Sequence, residues 1–188
     1  GWTLLAKFSD GSAEGAAARW YAGNSNVSNT DLLDRDAEGV PYVNPLAGSW
    51  WSDAGFDEVR VELWNGTTLD RTITFDATGA TNGNWFAAAR ITGVAGWTDL
   101  TPSQTYNVFG LTDPSDIRDF YISHNHGGCE ADVGWLALPR NDSCDQWHDP
   151  ARGRILYSGA STRIDWTASG STLSSQARFA STMVILAR

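Results

Sequence analysis

The chain is short of the residues on which functional assignments usually rest: it has two cysteines, three histidines, one methionine and six prolines in 188 residues. Two cysteines leave room for a single disulfide, and 188 residues is enough to bury a core without further staples. No run of eighteen apolar residues occurs, which excludes a long apolar membrane-spanning helix. Basic residues are scarce and scattered. Thirteen Lys and Arg stand against twenty-two Asp and Glu, a net charge of -9, and a surface of that sign repels a phosphate backbone, so nucleic acid is not an expected partner. The Gly-x-Ser-x-Gly elbow, the P-loop and His-Glu-x-x-His are all missing, and the chain is read as a binding protein and not an enzyme.

What is present is aromatic. Ten Trp, seven Phe and five Tyr lie in a chain whose 41% apolar and 19% charged residues are those of a globular protein, and the length predicts one domain. Cys129 and Cys144, fifteen residues apart, suit a disulfide that would add ~3 kcal/mol by loop closure, the alternative being two buried thiols. A bridge of that kind, with glycosylation-type triplets at Asn26, Asn65 and Asn141, predicts a secreted or cell-surface location. The opening Gly1-Trp2-Thr3, with no initiator Met or signal-like stretch, predicts a domain excised from a longer precursor.

Short apolar pieces separated by Gly, Asp, Asn, Ser and Thr predict a β-rich α+β fold with a central antiparallel sheet. Strands are expected at 2–8, at 118–123, at 155–157 and at 180–187, the last central in its sheet. Val59, Val61 and Leu63 alternate with Arg60 and Glu62, Asn65-Gly66 makes a turn, and 69–75 returns, which is a hairpin. A short helix is expected at 15–20, and 84–91 and 97–100 read as short helices or strands. Residues 124–149 read as one long polar loop.

Both ends and this loop carry a resemblance. Gly1-Trp2-Thr3-Leu4-Leu5-Ala6 resembles the strand that opens fibrinogen-related domains, and Thr182 to Arg188 is similar to the closing strand of intelectins. His124-Asn125-His126-Gly127-Gly128-Cys129, Gly134-Trp135 and Cys144 stand where that superfamily keeps a disulfide-bridged ligand loop. The resemblance implies a fibrinogen-like, intelectin-like single domain over 1–188 with long ligand-binding loops and a calcium-dependent lectin role in pattern recognition or adhesion. The departures are plain. Intelectins have more cysteines, and fibrinogen-related domains hold calcium in a tight Asp-x-Asp loop where this chain spaces Asp113, Asp116 and Asp119 three apart.

Calcium takes six to eight oxygens and leaves vacancies that a sugar diol can fill. By resemblance the ligands are Asn125, His126 and Glu130, with Asp132 and Asp145 in reserve; a solvated polar loop is the plain alternative, and His-x-His toward zinc lacks an evident third ligand. A sugar also needs an aromatic face. Trp147 beside His148, then Tyr157 and Trp166, follow the bridge where intelectins set an aromatic wall, and His124 is placed with them. Trp2, Trp64 and Trp135 are read as core, whereas one of Trp50 and Trp51 is expected at the surface. Acidic runs at 10–14 and 31–38 match no EF-hand and are read as solvated. The expected ligands are glycans or glycoproteins, without membrane insertion and compatibly with a homo-oligomer. The alternative is a protein-adhesion module that grips its partner through Trp50 and Trp51.

Overall fold

In the computed structural model the described residues are 1–9, 16–23, 41–48, 51–114, 117–128, 131–140, 155–169 and 172–188. Among these residues fourteen strands alternate with very little helix: β1 (Thr3–Ser9), α1 (Ala16–Ala22), β2 (Tyr42–Val43), α2 (Trp51–Ala54), β3 (Glu58–Asn65), β4 (Thr68–Asp76), β5 (Ile91–Ala95), β6 (Val108–Thr112), β7 (Arg118–Asn125), β8 (Val133–Pro139), β9 (Leu156–Ser158), β10 (Ile164–Asp165), β11 (Thr167–Ser169), β12 (Thr172–Leu173), β13 (Ala177–Phe179) and β14 (Thr182–Ala187). The fold is β-rich and antiparallel as expected. With α1 seven residues long and α2 four, the α+β description is met only loosely.

One sheet runs β2-β1-β14-β3-β4-β5, so the closing strand lies between the opening strand and the hairpin, where its β-branched, apolar run is covered on both sides. The hairpin turns at Gly66-Thr67, one residue beyond the expected Asn65-Gly66, since Asn65 still pairs with Thr68; Gly66 sits at φ 53, the left-handed conformation that such a tight turn favours. A second sheet runs β13-β9-β8-β7-β6, with β10 added to β8. Val61, Phe75, Met183 and Ile185 of the first sheet share one core with Phe120, Ile122 and Leu138 of the second. Its centre is aromatic. Trp20 of α1 lies 5.2 Å from Trp85 and edge-on to Trp51 at 5.9 Å, and Phe86 links Phe75, Phe109 and Phe120 at 5.1–5.4 Å. A smaller cluster, which includes Tyr121, Leu156, Ile164 and Trp166, fills the other face of the second sheet.

Several expectations change. Residues 84–91 form turns and a single 3-10 turn at Ala88–Arg90 before β5 begins, and 97–100 is neither helix nor strand. β7 continues through His124 and Asn125, and β8 lies inside the stretch read as loop. Trp51 is buried, with its indole N–H donating to the Ala80 carbonyl at 2.8 Å; Trp50 lies outside the described residues. Trp135 is core, but Trp2 and Trp64 are only half-buried. The guanidinium groups of Arg60 and Arg188 lie over the Trp2 ring at 4.4 and 4.7 Å from its centroid, so cation–π contact holds it where core packing was expected.

Candidate functional site

β7 is buried almost throughout and ends at His124-Asn125, with His126 the first residue beyond it. Near its middle, the register against β8 shifts between Asp119 and Ile122, and Phe120 adopts φ 45, the one non-glycine residue at positive φ among the described residues. Charges inside the strand are all answered. Arg118 donates to Asp113 at 2.8 Å and to Asp132 at 3.0 Å, with side-chain exposures of 3% for the arginine and 0% for both acids. Asp119 accepts from Arg140 at 2.7 Å and from the Ala17 amide at 3.1 Å, which ties α1 to the second sheet.

Asp132 is the junction between this buried network and the loop that follows β7. One carboxylate oxygen accepts from Arg118 and from the Tyr121 hydroxyl at 3.1 Å; the other accepts from the Gly127 amide at 2.7 Å. The loop is closed further by the Asn125 amide on the Ala131 carbonyl at 3.0 Å, by the Ala131 amide on the Gly128 carbonyl at 2.8 Å, and by Ser123, whose hydroxyl bonds the Asn125 and Val133 carbonyls. Gly128 sits at φ 98, which a side chain would oppose. The backbone that carries Asn125 and His126 is therefore held at both ends.

Within this frame the two residues keep donor atoms unengaged. Asn125 is exposed and uses only its NH₂ on Ala131, leaving the side-chain carbonyl free. His126 packs edge-on to Tyr121 at 5.7 Å, and its Nδ1 is buried without a hydrogen-bond partner, a costly arrangement unless something else fills it. His124 points elsewhere. Its Nδ1 lies 3.0 Å from the Thr105 carbonyl, so that nitrogen carries the proton, and its ring stands edge-on to Trp135 at 6.5 Å. Trp135 is fixed in turn by its indole N–H on Asp99 at 2.7 Å, and Arg163 bonds the same acid at 3.0 Å.

The expected site residues are thus only partly brought together. Asn125 and His126 adjoin one another at the end of β7. Asp132, in the same loop, has both oxygens hydrogen-bonded to protein donors and supports the loop backbone at Gly127. Tyr157 and Trp166 are fully buried. The Tyr157 hydroxyl donates to Asp70 and accepts from Asn65, and Trp166 fills the smaller core cluster, so neither ring face forms a solvent-facing wall. Burial pushes the Tyr157 and Tyr121 hydroxyls well above the ordinary tyrosine range, with the neighbouring Asp70 and Asp132 carboxylates adding to it. Cys129, Glu130, Cys144, Asp145, Trp147 and His148 lie outside the described residues. Among the described residues no three His, Cys, Asp or Glu gather as a metal-binding group.

Arg118, Asp113 and Tyr121 are the residues that sequence reasoning missed. Their signal was available: a charged residue opening an otherwise apolar run, Arg118-Asp119-Phe120-Tyr121-Ile122, needs buried partners of opposite sign. Set against known proteins, the chain matches no protein-family model, no curated protein and no solved structure.

Proposed function

We propose that this chain is an extracellular carbohydrate-recognition domain of the fibrinogen-related, intelectin-like type, binding glycans through Ca²⁺ held at the end of β7. The observation that carries the reading is the pair of unengaged donors, the Asn125 carbonyl oxygen and the buried His126 Nδ1, on a backbone clamped by Asp132. Both are neutral ligands, so charge for a divalent cation has to come from elsewhere, and Glu130 within the same loop is the residue assigned to it, with Asp145 as a further carboxylate. The ion supplies vacancies for sugar hydroxyls, and Trp147 with His148 is assigned to the apolar face of the ring. Binding without turnover is the proposed activity. One shallow site per domain favours several copies on a glycan surface.

Thermal unfolding with calcium, with EDTA, and with calcium plus simple sugars tests this. A ligand at a hundredfold excess over its dissociation constant adds about 2.7 kcal/mol to native stability. Calcium is expected to raise the midpoint and a sugar to raise it again, with the second rise lost in His126→Ala and Glu130→Gln. If neither calcium nor any sugar moves the midpoint, the cation assignment is wrong and protein adhesion becomes the better account.

A further inference from the structure

β5 ends the first sheet, and among the described residues no strand covers its outer edge. Such an edge presents a row of unpaired N–H and C=O groups, which proteins commonly blunt with lysine, proline or inward charges. Ile91-Thr92-Gly93-Val94-Ala95 carries none of these. Its register against β4 steps from Ile91 to Gly93, leaving Thr92 bulged and exposed, so the regular edge is Gly93–Ala95.

Two hollows flank this strand and share Thr92. One, of about 600 Å³, is lined by Asp57, Glu58, Asp76, Thr92 and Arg188. There Glu58 pairs with Arg188 at 2.5 Å, whereas Asp57 and Asp76 are exposed and make no salt bridge among the described residues. Asp76 is held below the ordinary carboxylate range by hydrogen bonds from Thr78 and stays charged at neutral pH. The other hollow, of about 310 Å³, runs from Ile91–Val94 to Trp97, Thr98, Leu100, Thr101 and Pro102 and has a mixed polar and apolar lining. A recess carrying the Asp57 and Asp76 carboxylates and a second, mixed hollow therefore adjoin one open backbone edge and meet at Thr92.

We infer that the β5 edge docks an extended peptide of another protein, which adds a short strand to the sheet and sets a Lys or Arg beside Asp57 and Asp76. The backbone row selects a polypeptide, because only another extended chain answers alternating donors and acceptors at strand spacing. The recess selects a basic residue. A second copy of this chain fits poorly: it brings another -9, and its own β5 offers no basic side chain to the recess.

The test is panning of the whole domain against a displayed library of random linear peptides, followed by titration of the enriched peptides into ¹⁵N-labelled protein. Enriched peptides are expected to combine one Lys or Arg with alternating β-branched or aromatic residues and to shift the amides of Thr92 to Trp97. Backbone N-methylation of a bound peptide abolishes the shifts. Asp57→Asn and Asp76→Asn each weaken binding about fivefold, the scale of one ion pair in a water-like dielectric. Thr92→Lys, at an exposed position, removes binding while leaving the thermal midpoint in place. Three results overturn the inference: no enrichment, enriched peptides that leave the 92–97 amides unmoved, or concentration-dependent dimerisation through these same amides, which makes a second copy the occupant.

Discussion

Asp132→Asn is the sharpest perturbation of the scaffold that presents the candidate site. The native carboxylate takes hydrogen bonds from Arg118, the Tyr121 hydroxyl and the Gly127 amide, all at 2.7–3.1 Å, at a position with no solvent exposure. An asparagine offers one oxygen. If that oxygen serves Gly127, the new NH₂ faces Arg118, which has only donors, whereas the Tyr121 hydroxyl can rotate to accept. Removing one partner of a buried ion pair costs about 3–5 kcal/mol, and because Arg118 keeps Asp113 the lower end applies, ~3 kcal/mol. With a urea dependence of roughly 2 kcal/mol per molar for a domain of this size, the unfolding midpoint falls by about 1.5 M. Asp57→Asn, an exposed carboxylate without an ion pair among the described residues, serves as the control and changes stability by no more than about 0.5 kcal/mol. Amide exchange at Gly127 adds a local readout, since it loses its acceptor or keeps it according to which way the new amide points. A loss under about 1 kcal/mol in Asp132→Asn would refute the claim that this junction holds the loop.

Alkaline pH reports on three tyrosines, the half-buried Tyr106 and the buried Tyr121 and Tyr157. Tyr106 is pushed up to about 12, first by burial and further by the Asp99 carboxylate, and Tyr121 and Tyr157 are also raised by burial. A raised folded value means their stabilisation is intact below the unfolded value of 10.0 and decays as pH climbs through the folded one, so stability falls steeply above pH 10. Absorbance titration at the tyrosinate band is expected to show these three ionising only together with unfolding; an independent, reversible titration near 10 contradicts it. Gly134→Ala places a methyl 2.6 Å from the Ile122 carbonyl and 3.3 Å from the Trp166 indole nitrogen, and overpacking of this kind costs ~1–3 kcal/mol in chemical denaturation. Trp20→Ala empties the centre of the aromatic core, where the ring touches Trp51, Trp85 and Phe120, and a loss of about 3–5 kcal/mol is expected in the same assay.

Period-two alternation and turn chemistry made the hairpin legible, because Val59, Val61 and Leu63 face one core and Gly66 supplies the left-handed residue of a tight turn, placed one residue later than Asn65-Gly66 suggested. The closing strand was legible from apolarity alone. β8 was not, because Gly134 and the surrounding Gly, His and Asp residues read as loop; the structure uses that glycine for close approach to Ile122 of β7, so a residue that signals irregularity is here a packing requirement. Residues 97–100 misled in the opposite sense: Trp97 is buried through an indole bond to the Ser158 carbonyl at 3.0 Å, and a long-range contact of that kind leaves no periodic trace. For the site, sequence reasoning found the adjoining Asn125 and His126 but not their support, since the partners of Asp132 are set by how β7 pairs with β8 and by the buried Arg118. Tyr157 and Trp166 were drawn toward the ligand by their position after Cys144, whereas the pairing of β9 with β8 buries Tyr157, and Trp166, between β10 and β11 with its amide on the Asp132 carbonyl, packs into the smaller core cluster.

The central claim is a calcium-dependent glycan contact at the end of β7. It is tested most directly by applying the biotinylated domain, tetramerised on streptavidin, to an array of immobilised glycans in calcium and in EDTA, beside His126→Ala, Glu130→Gln and Thr92→Lys. The account predicts a restricted set of bound glycans in calcium, none in EDTA, none for the first two variants, and an unchanged pattern for Thr92→Lys. Binding that survives EDTA and both loop substitutions, or no binding to any glycan by a folded tetramer in calcium, would contradict it.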